Sequence, residues 1–352
     1  MTPLAVSTDD ILGAFKRQAD YCRARDAGLT AAVIDAAAAD IRAGGPMADL
    51  VEGFSEDPGR AALALRIAGA AHYLAIKDCA GPLQSMYQSL IAPEPDALAA
   101  ALAGLVCDHQ PVCQSFASRP PQTNEINRLA TLVPAFSEVV TAFDMPLDLY
   151  ELGASGGLLL AADRASIDYG ALTWGDGPVG VKSDWRGSKP TLPARLNIRG
   201  RRGCDRNPID YSDPEQLDIA RSYIWPEDRD RRTRFESAIA ATRNLDIRVD
   251  AADALDWLAA RELPKAGAVS VVFTSVFAVY LNDTETARLS GLMAAIGARA
   301  TLEAPVAFVQ FEPEETLDFV TFHVDVTMWP GGERRRIAKS HAHGAWVEPI
   351  SN

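Results

Sequence analysis

The sequence predicts an α/β protein in which an all-helical N-terminal domain, residues 1–143, precedes a sheet-containing domain, residues 144–352. Up to Phe143 the apolar residues recur at the three- and four-residue spacing of one helix face, and no alternating strand pattern occurs. From Pro146 onward, short apolar runs alternate with helical stretches. This alternation is typical of a doubly wound sheet, in which helices cover both faces of mostly parallel strands.

The composition indicates an ordinary globular protein with an acidic surface. The 352 residues are 48% hydrophobic and 23% charged, and they carry a formal net charge of −13. Because nucleic acids and anionic membranes attract positive surfaces, this charge disfavours nonspecific binding to either. We therefore expect neither a nucleic-acid partner nor a membrane partner.

The lack of a recognisable secretory signal and the pattern of cysteines favour a cytoplasmic protein. The first fifteen residues, MTPLAVSTDDILGAF, have no basic residue before an apolar run, unlike a secretory signal. No uninterrupted apolar run reaches the ~20 residues that cross a bilayer. The five cysteines are scattered without a Cys-x-x-Cys pair, so we expect reduced thiols and no metal site built on them.

Capping residues indicate where the N-terminal helices begin. Ser7 and Asp10 have the spacing of a capping box, and Thr30 precedes an alanine-rich stretch that stops at Gly44. Further helices are predicted to start at Asp57 (followed by Pro58), at Pro95 and at Thr123.

The stretch Pro146–Asp163, PLDLYELGASGGLLLAAD, organises the α/β domain. It reads as a buried strand, a glycine turn over residues 153–157 and a helix from Leu158. Glycines allow the backbone to approach a ligand closely, and a following helix N-terminus offers unpaired N–H groups. The turn is therefore the first candidate for a binding site.

The rest of the α/β domain continues the alternation. An insertion at about residues 164–195 carries a hairpin signal at residues 174–177. Strands are then predicted at 196–205, 245–250, 268–273 and 306–311, with helices at 215–223, 231–241, from 253 and at 283–298. An antiparallel pair near residues 319–328 and a tail, KSHAHGAWVEPI, complete the chain.

Two interpretations of the glycine turn compete. Gly153-x-Ser155-x-Gly157 matches the nucleophile elbow of α/β-hydrolases, with His341 or His343 as the base. However, that elbow follows several strands, whereas this turn follows the first strand of its domain. The early position favours a cofactor-binding turn, and a fold that binds a ligand without catalysis is a further alternative.

Acidic residues follow three successive strands. Glu151 ends the first, Asp205 ends the second, and Asp253 follows the third. In a Rossmann-type domain such acids contact a nucleotide-like cofactor. The alternative for Asp253 is that it only caps the helix that it opens.

These residues are similar to those of class I S-adenosylmethionine-dependent methyltransferases, a Rossmann-like family with an acid two residues before the first glycine of the turn. Glu151 and Gly153 match that pattern, with Ala154, Ser155 and Gly157 completing the turn. The resemblance implies that the turn holds the amino-acid end of S-adenosylmethionine. It also implies that Asp205 holds the ribose and Asp253 the adenine.

Over most of its length the chain also resembles a bacterial family described as domain of unknown function 2332. The matching segments are ELGASGGLLLAAD, GCDRNPIDYSDPE, Tyr223–Pro226 with Arg231 and Arg232, VVFTSVFAVYL, and His341–Gly344. That family carries no activity that the resemblance would transfer.

Basic and histidine-rich stretches remain as candidates outside the turn. His341 and His343 lie two residues apart, so on a strand they would face the same side. There they would either bind a metal, with Glu312 as a third ligand that only folding could bring near, or serve as general bases. Trp225 and the arginines up to Arg234 form either a lip over an acidic substrate or a solvated helix face.

The sequence as a whole predicts a methyltransferase that transfers a methyl group from S-adenosylmethionine to a small molecule. Residues 274–277 read Thr-Ser-Val-Phe rather than an Asn-Pro-Pro-Tyr-type motif, so amino methylation of nucleic acid is not expected. The acceptor and the oligomeric state stay open.

Overall fold

The computed structural model describes residues 6–122, 124–314 and 321–350 and divides into two compact units. The helical unit comprises Met1–Thr123 and Asp210–Arg232. The sheet unit comprises Asn124–Ile209 and Thr233–Asn352. The units therefore divide earlier than residue 143, and the helical unit takes in a segment from the middle of the predicted α/β domain.

Within the described residues there are twelve α-helices. In chain order they are α1 (Thr8–Arg23), α2 (Gly28–Ala43), α3 (Pro46–Val51), α4 (Leu63–Ile76), α5 (Gln84–Ser89), α6 (Pro95–Asp108), α7 (Gln110–Ala117), α8 (Leu129–Phe143), α9 (Pro214–Ser222), α10 (Arg229–Thr242), α11 (Ala254–Ala259) and α12 (Asp283–Gly297). None of these described helices combines the length and the apolar character that a membrane crossing requires.

Twelve strands occur in the same part of the chain. They are β1 (Leu147–Leu152), β2 (Ala165–Asp168), β3 (Thr173–Trp174), β4 (Val179–Lys182), β5 (Asp184–Trp185), β6 (Ile198–Asp205), β7 (Ile247–Ala251), β8 (Val269–Ser275), β9 (Val306–Pro313), β10 (Phe322–Trp329), β11 (Glu333–Ser340) and β12 (Trp346–Pro349). The strand predicted before the glycine turn is confirmed as β1. The strands predicted at 196–205, 245–250, 268–273 and 306–311 are confirmed as β6, β7, β8 and β9, and the helix predicted at 283–298 is confirmed as α12.

A mostly parallel nine-stranded sheet forms the centre of the sheet unit. Its order is β5-β12-β11-β10-β9-β8-β1-β6-β7, and β7, β6, β1, β8 and β9 run parallel. The chain moves outward from β1 to β6 and β7, then returns to place β8 on the other side of β1. The order therefore reverses between β1 and β8, and their carboxyl ends border the crevice where open α/β sheets bind ligands.

The central strands are buried on both faces. All residues of β1 and β8 are buried, as expected for parallel strands covered by helices on each side. On one face the ring of Tyr150 contacts that of Trp257 on α11, with centroids 6.3 Å apart. On the other, Phe273 meets Phe136 on α8 at 5.3 Å. The predicted covering of both faces is confirmed.

In the helical unit, the capping box of the first helix is confirmed. The Ser7 hydroxyl accepts a hydrogen bond from the Asp10 N–H, and the Asp10 carboxylate accepts one from the Ser7 N–H. The helices pack on one apolar core that includes Phe15, Ile34 and Leu102. Local sequence signals were sufficient here because the cap and its partner lie three residues apart.

The predicted cap at Thr30 is wrong. Thr30 lies inside α2, which begins at Gly28. Its N–H donates to Glu227 Oε1 at 2.9 Å and its hydroxyl to Glu227 Oε2 at 2.8 Å. A carboxylate from a distant part of the chain thus takes the place of a local cap at the positive end of the helix.

The helix start at Asp57 is wrong as well. α4 begins at Leu63, after Ala62 with the left-handed φ of 52°. The Asp57 carboxylate instead accepts hydrogen bonds from the N–H groups of Gly59 and Arg60 and closes a turn. The cap predicted at Thr123 lies outside the described residues.

The hairpin predicted at residues 174–177 does not form. In the small sheet the order is β3-β2-β4, so the strands on either side of that turn flank β2 rather than each other. A Cβ on Gly175 would lie 2.3 Å from the carbonyl oxygen of Ala165, and one on Gly177 only 1.9 Å from that of Arg164. The two glycines therefore allow the chain to pass close to the backbone at the start of β2.

The helix predicted after the glycine turn is a short 3-10 helix, Leu158–Arg164, broken by a non-helical Ala161. Its residues from Leu158 to Ala162 are all buried, so it has no polar face. A regular amphipathic helix needs such a face toward solvent. The anion-binding helix N-terminus expected beside the turn is consequently missing from this described segment.

Candidate functional site

The turn after β1 is a tightly packed backbone loop. Gly153 and Gly157 adopt left-handed φ values of 74° and 75°. A Cβ on Gly157 would lie 2.9 Å from methyl groups of Ile247 and Val249, so the loop sits directly against β7. Glycine is needed at both positions because of conformation and because of space.

Ser155 lies in the same turn with a φ of 51°, which is uncommon for a residue with a side chain. Its hydroxyl oxygen is buried and accepts or donates no hydrogen bond within the described residues. A serine nucleophile needs a base within hydrogen-bond reach. This geometry therefore provides no activated nucleophile at Ser155.

Glu151 places a carboxyl group at the end of the central strand. The residue is 1% exposed, and its Oε2 atom has no hydrogen-bond partner in the described chain. Burial raises the pKa of this carboxyl well above its usual value, the nearby Arg128 lowers it, and Asp205 raises it further. An unsatisfied buried oxygen is costly, and the raised pKa of Glu151 favours the protonated, neutral carboxyl.

Asp205, at the end of the neighbouring strand β6, holds the turn through hydrogen bonds. Its Oδ2 atom accepts the N–H of Ser155 and its Oδ1 atom accepts the N–H of Asn207, both at 2.9 Å. The N–H groups of Gly153 and Ala154 donate to the carbonyl of Cys204. These bonds give Asp205 a structural role, although a carboxylate retains lone pairs for a ligand hydroxyl.

Asp253 is the N-cap of α11, as the capping interpretation predicts. Its carboxylate accepts hydrogen bonds from the N–H groups of Leu255 and Asp256 and forms an ion pair with Arg206 at 2.9 Å. The hydrogen bond from Arg206 lowers the pKa of Asp253 most strongly. Both oxygens are thus engaged by protein groups.

The end of β8 brings a second strained residue to the edge. Val276 has a φ of 59°, a genuine outlier for a β-branched side chain. Such strain is concentrated at functional sites, where surrounding contacts maintain it. The N–H of Val276 is held by the carbonyl of Phe311 at 2.9 Å.

Glu312, at the end of β9, holds the loop that follows Val276. Its carboxylate accepts the N–H groups of Phe277 and Ala278 at 3.0–3.1 Å. Burial raises the pKa of Glu312 to about 7, although the Phe277 N–H and the Thr274 hydroxyl lower it. A carboxyl with this pKa exchanges its proton near neutral pH.

His341 and His343 lie in the turn between β11 and β12, not on a strand. Their rings nevertheless lie 5.6 Å apart, and the His343 N–H donates to His341 Nδ1 at 3.1 Å. Glu125, which is 2% exposed, places Oε2 4.0 Å from His343 Nδ1. The carboxylate and the imidazole can therefore act as a pair.

Arg128 connects this histidine turn to the crevice between β1 and β8. Its guanidinium donates to the Ala342 carbonyl at 3.2 Å and to the Ser275 carbonyl at 3.0 Å. It also influences the pKa of both Glu151 and Glu312. The candidate site thus contains one central cation with carboxyl groups on either side.

Several of the predicted residues are brought together, and others only support them. Glu151, the glycine turn and Asp205 adjoin one another, whereas Asp253 caps a helix next to them. The sequence did not identify Arg128 or Glu125 as site residues, since they come from a short irregular segment before α8. The sequence suggests Glu312 only as a metal ligand that folding would have to bring to the two histidines, because it lies at a strand end far along the chain.

The residues fit an amine-bearing cofactor better than a metal. Among the described residues, no three histidine, cysteine or acidic side chains group as a metal site. The unsatisfied Glu151 oxygen offers an acceptor to an amine, whereas the N–H groups of Gly153, Ala154 and Ser155 in the turn already donate to protein oxygens. The fit at the predicted adenine position is poorer because Arg206 already pairs with Asp253.

Comparison with known proteins adds a family but no activity. A family model described as "Uncharacterized protein conserved in bacteria", domain of unknown function 2332, matches residues 13–348. No curated protein and no solved structure matches the chain.

Proposed function

Since the chain belongs to this bacterial family, domain of unknown function 2332, which brings no described activity, we propose its function from the site: binding of S-adenosylmethionine and methyl transfer to a small molecule. The observation that carries the proposal is the unsatisfied carboxyl of Glu151 at the sheet's reversal point. Rossmann-like domains bind their cofactors at this point.

The order of the strands supports the same function. Glycine turn, Asp205 and Asp253 follow β1, β6 and β7, three neighbouring parallel strands. Their carboxyl ends face one edge of the sheet, so a ligand lying along that edge would meet all three in series. The strained Val276 and the loop held by Glu312 border the opposite side of the crevice.

S-adenosylmethionine, when bound, supplies an electrophilic methyl group. In the proposed role, Glu151 binds the amine of the cofactor beside the turn. Asp205 accepts a ribose hydroxyl through its remaining lone pairs. These residues act by positioning, since transfer requires donor and acceptor to be aligned.

His343 is the proposed general base, which takes a proton from the small molecule that receives the methyl group. Glu125 Oε2 lies 4.0 Å from Nδ1, close enough to stabilise the imidazolium that forms when His343 takes up a proton. His341 accepts the N–H of His343 and thereby orients the turn. Arg128 fixes this turn to the end of β8.

The test is calorimetric titration of the purified protein with S-adenosylmethionine and S-adenosylhomocysteine. We expect micromolar binding that weakens at least ~10-fold, or ~1.4 kcal/mol, in Glu151→Gln. The exposed Glu262→Gln is the matched control and should bind normally. Absence of binding at millimolar ligand, or equal binding by Glu151→Gln, would contradict the proposal.

A serine hydrolase is the second candidate, favoured only by the left-handed φ of Ser155. Its hydroxyl lacks the hydrogen-bonded base that this mechanism needs, within the chain described. A fluorophosphonate probe distinguishes the two functions. Labelling that disappears in Ser155→Ala would establish the hydrolase, whereas tight S-adenosylmethionine binding without turnover would indicate a binding domain.

A further inference from the structure

The strand β7 forms one edge of the large sheet. It pairs with β6 on one side, and no other described strand pairs with it on the other side. An edge strand presents unpaired N–H and C=O groups, which serve as a template for a further strand. The residues of β7 therefore decide what can pair with this edge.

Alternate residues of β7 direct their backbone groups away from β6. Ala252, just after the strand, donates its N–H to the Asp205 carbonyl on β6 at 2.9 Å. Since the backbone groups of successive strand residues point to opposite edges, those of Ile247, Val249 and Ala251 face outward. Within the described chain a local turn engages the Ile247 N–H, and the other outward groups stay available to a second strand.

The side chains of β7 separate into an apolar row and a charged row. Ile247 and Val249 are half-buried and lie on the face that packs against the glycine turn. Arg248 and Asp250 lie on the other face, and their side chains are 69% and 49% exposed. The edge thus carries one positive and one negative charge, two residues apart and both open to solvent.

Contacts within the chain leave both charges available. Arg248 contacts Asp246 at 3.1 Å through Nε, so the two terminal nitrogens of its guanidinium can bind another carboxylate. The Trp257 indole donates to Oδ2 of Asp250 at 2.6 Å, and Arg261 lies 3.8 Å from the same oxygen. These contacts leave Oδ1 of Asp250 to accept a further donor.

This order of charges is self-complementary about a two-fold axis. If two copies of β7 pair antiparallel with Val249 opposite Val249, Arg248 of each copy lies opposite Asp250 of the other, on the same face. The two Val249 residues then exchange two hydrogen bonds, and each Ala251 N–H meets the Ile247 carbonyl of the other copy. Opposite charges directly across a strand pair stabilise it, whereas like charges destabilise it.

The charges also disfavour the neighbouring registers. A shift by two residues in one direction would place Arg248 opposite Arg248 and Asp246 opposite Asp250. The same shift in the other direction would place Asp250 opposite Asp250. Because both shifts bring like charges together, the pattern selects the register centred on Val249. Edge charges commonly keep other strands away, and here they admit one arrangement of a second copy.

We propose that the protein forms a symmetric dimer in which β7 pairs antiparallel with β7 of a second copy. The pairing joins the two nine-stranded sheets into one continuous sheet. A strand of five residues supplies a short interface, so we expect a dissociation constant in the micromolar range. None of Arg248, Val249 and Asp250 is proposed to hold the cofactor, so the dimer is tested independently of the function proposed above.

The first experiment is sedimentation velocity on the full-length protein from ~1 μM to ~500 μM, a range that brackets a micromolar dissociation constant. We expect a concentration-dependent change from monomer to dimer. A protein that stays monomeric at the highest concentration would overturn the proposal. So would a dimer whose strength is the same in the variants described next.

Two charge inversions form a matched pair. Arg248→Glu brings an acid opposite Asp250, and Asp250→Lys brings a base opposite Arg248, so each variant alone should dimerise at least ~10-fold more weakly. An equimolar mixture of the two variants restores both opposite-charge pairs and should form a heterodimer about as tightly as the original protein. Two folded variants, judged by their melting curves, that fail to associate when mixed would contradict the register. Lys189→Glu, at an exposed position after β5 at the opposite edge of the sheet, makes the same change of charge and should leave the dimer intact.

Ala251→Pro tests the backbone pairing separately from the charges. Ala251 is exposed, and its N–H faces outward, so proline removes a hydrogen bond of the dimer while the bonds to β6 remain. We expect a little-changed melting temperature at a concentration where the protein is monomeric, together with dimerisation weakened at least ~10-fold. A dimer of unchanged strength in this variant would show that another surface mediates the association.

Discussion

Phe277 covers Gly153 so closely that a Cβ on the glycine would lie 2.6 Å from Cδ2 of the ring. The contact joins the turn after β1 to the loop after β8 across the point where the strand order reverses. A side chain at residue 153 would push the ring away, and with it the segment that Glu312 holds.

Gly153→Ala should therefore destabilise the sheet unit strongly. The left-handed φ costs alanine ~1 kcal/mol, and overpacking against the ring adds ~1–3 kcal/mol. Gly170→Ala is a matched control, since Gly170 has a φ of 83° but nothing within 4 Å of its Cβ position. Denaturant unfolding should show the smaller loss there, and equal losses would mean that contact with Phe277 is unimportant.

Asp205→Asn should lower the free energy of unfolding by ~1–2 kcal/mol. The carboxylate accepts the N–H groups of Ser155 and Asn207 through different oxygens, whereas asparagine has one acceptor oxygen and would turn its NH₂ toward a donor. Asp176→Asn, at an exposed position, should have little effect. A ligand-binding defect in Asp205→Asn must consequently be judged beside its unfolding curve.

Because of Glu312, the free energy of unfolding should fall as the pH rises from about 4.5 to 7. Burial raises its pKa from 4.5 to about 7 in the folded protein, so over this range the native state keeps a proton that the unfolded chain has lost. The stabilisation is complete below the unfolded pKa and is lost as pH passes the folded pKa. Glu312→Gln should flatten this dependence by ~1–3 kcal/mol, while the exposed Glu303→Gln should not.

Glu227→Gln should destabilise the helical unit by ~1 kcal/mol. The carboxylate holds the N–H and the hydroxyl of Thr30 in the first turn of α2, and glutamine loses both the charge and one acceptor. Thermal unfolding with Glu262→Gln as the exposed control would measure the difference. Equal melting temperatures would show that the distant cap contributes nothing.

Features fixed by neighbouring residues were predictable from the sequence. The capping box of α1, the cap Asp253 and the wholly buried strand β8 depend on contacts or burial that a short window of residues expresses. No short window of residues indicates the boundary between the two units. α8 has the periodicity of the preceding helices, yet its residue Phe136 packs on the sheet.

The candidate site was predictable only in its first half. The glycine turn and Glu151 form one continuous stretch, so their pattern could be recognised. Glu312 lies near the turn only because β8 and β9 lie beside β1 in the folded sheet. Glu125 and Arg128 come instead from the short segment before α8, whose place beside the sheet no local pattern expresses.

The chain passes between the two units three times, after residues 123, 209 and 232. No single truncation therefore isolates either unit as a portable module. A fragment ending at residue 143 would carry α8 without the strands that it contacts and would lack α9, which packs on α4. Dissecting this protein calls for circular permutation or a short linker that replaces residues 210–232, rather than for trimming from one end.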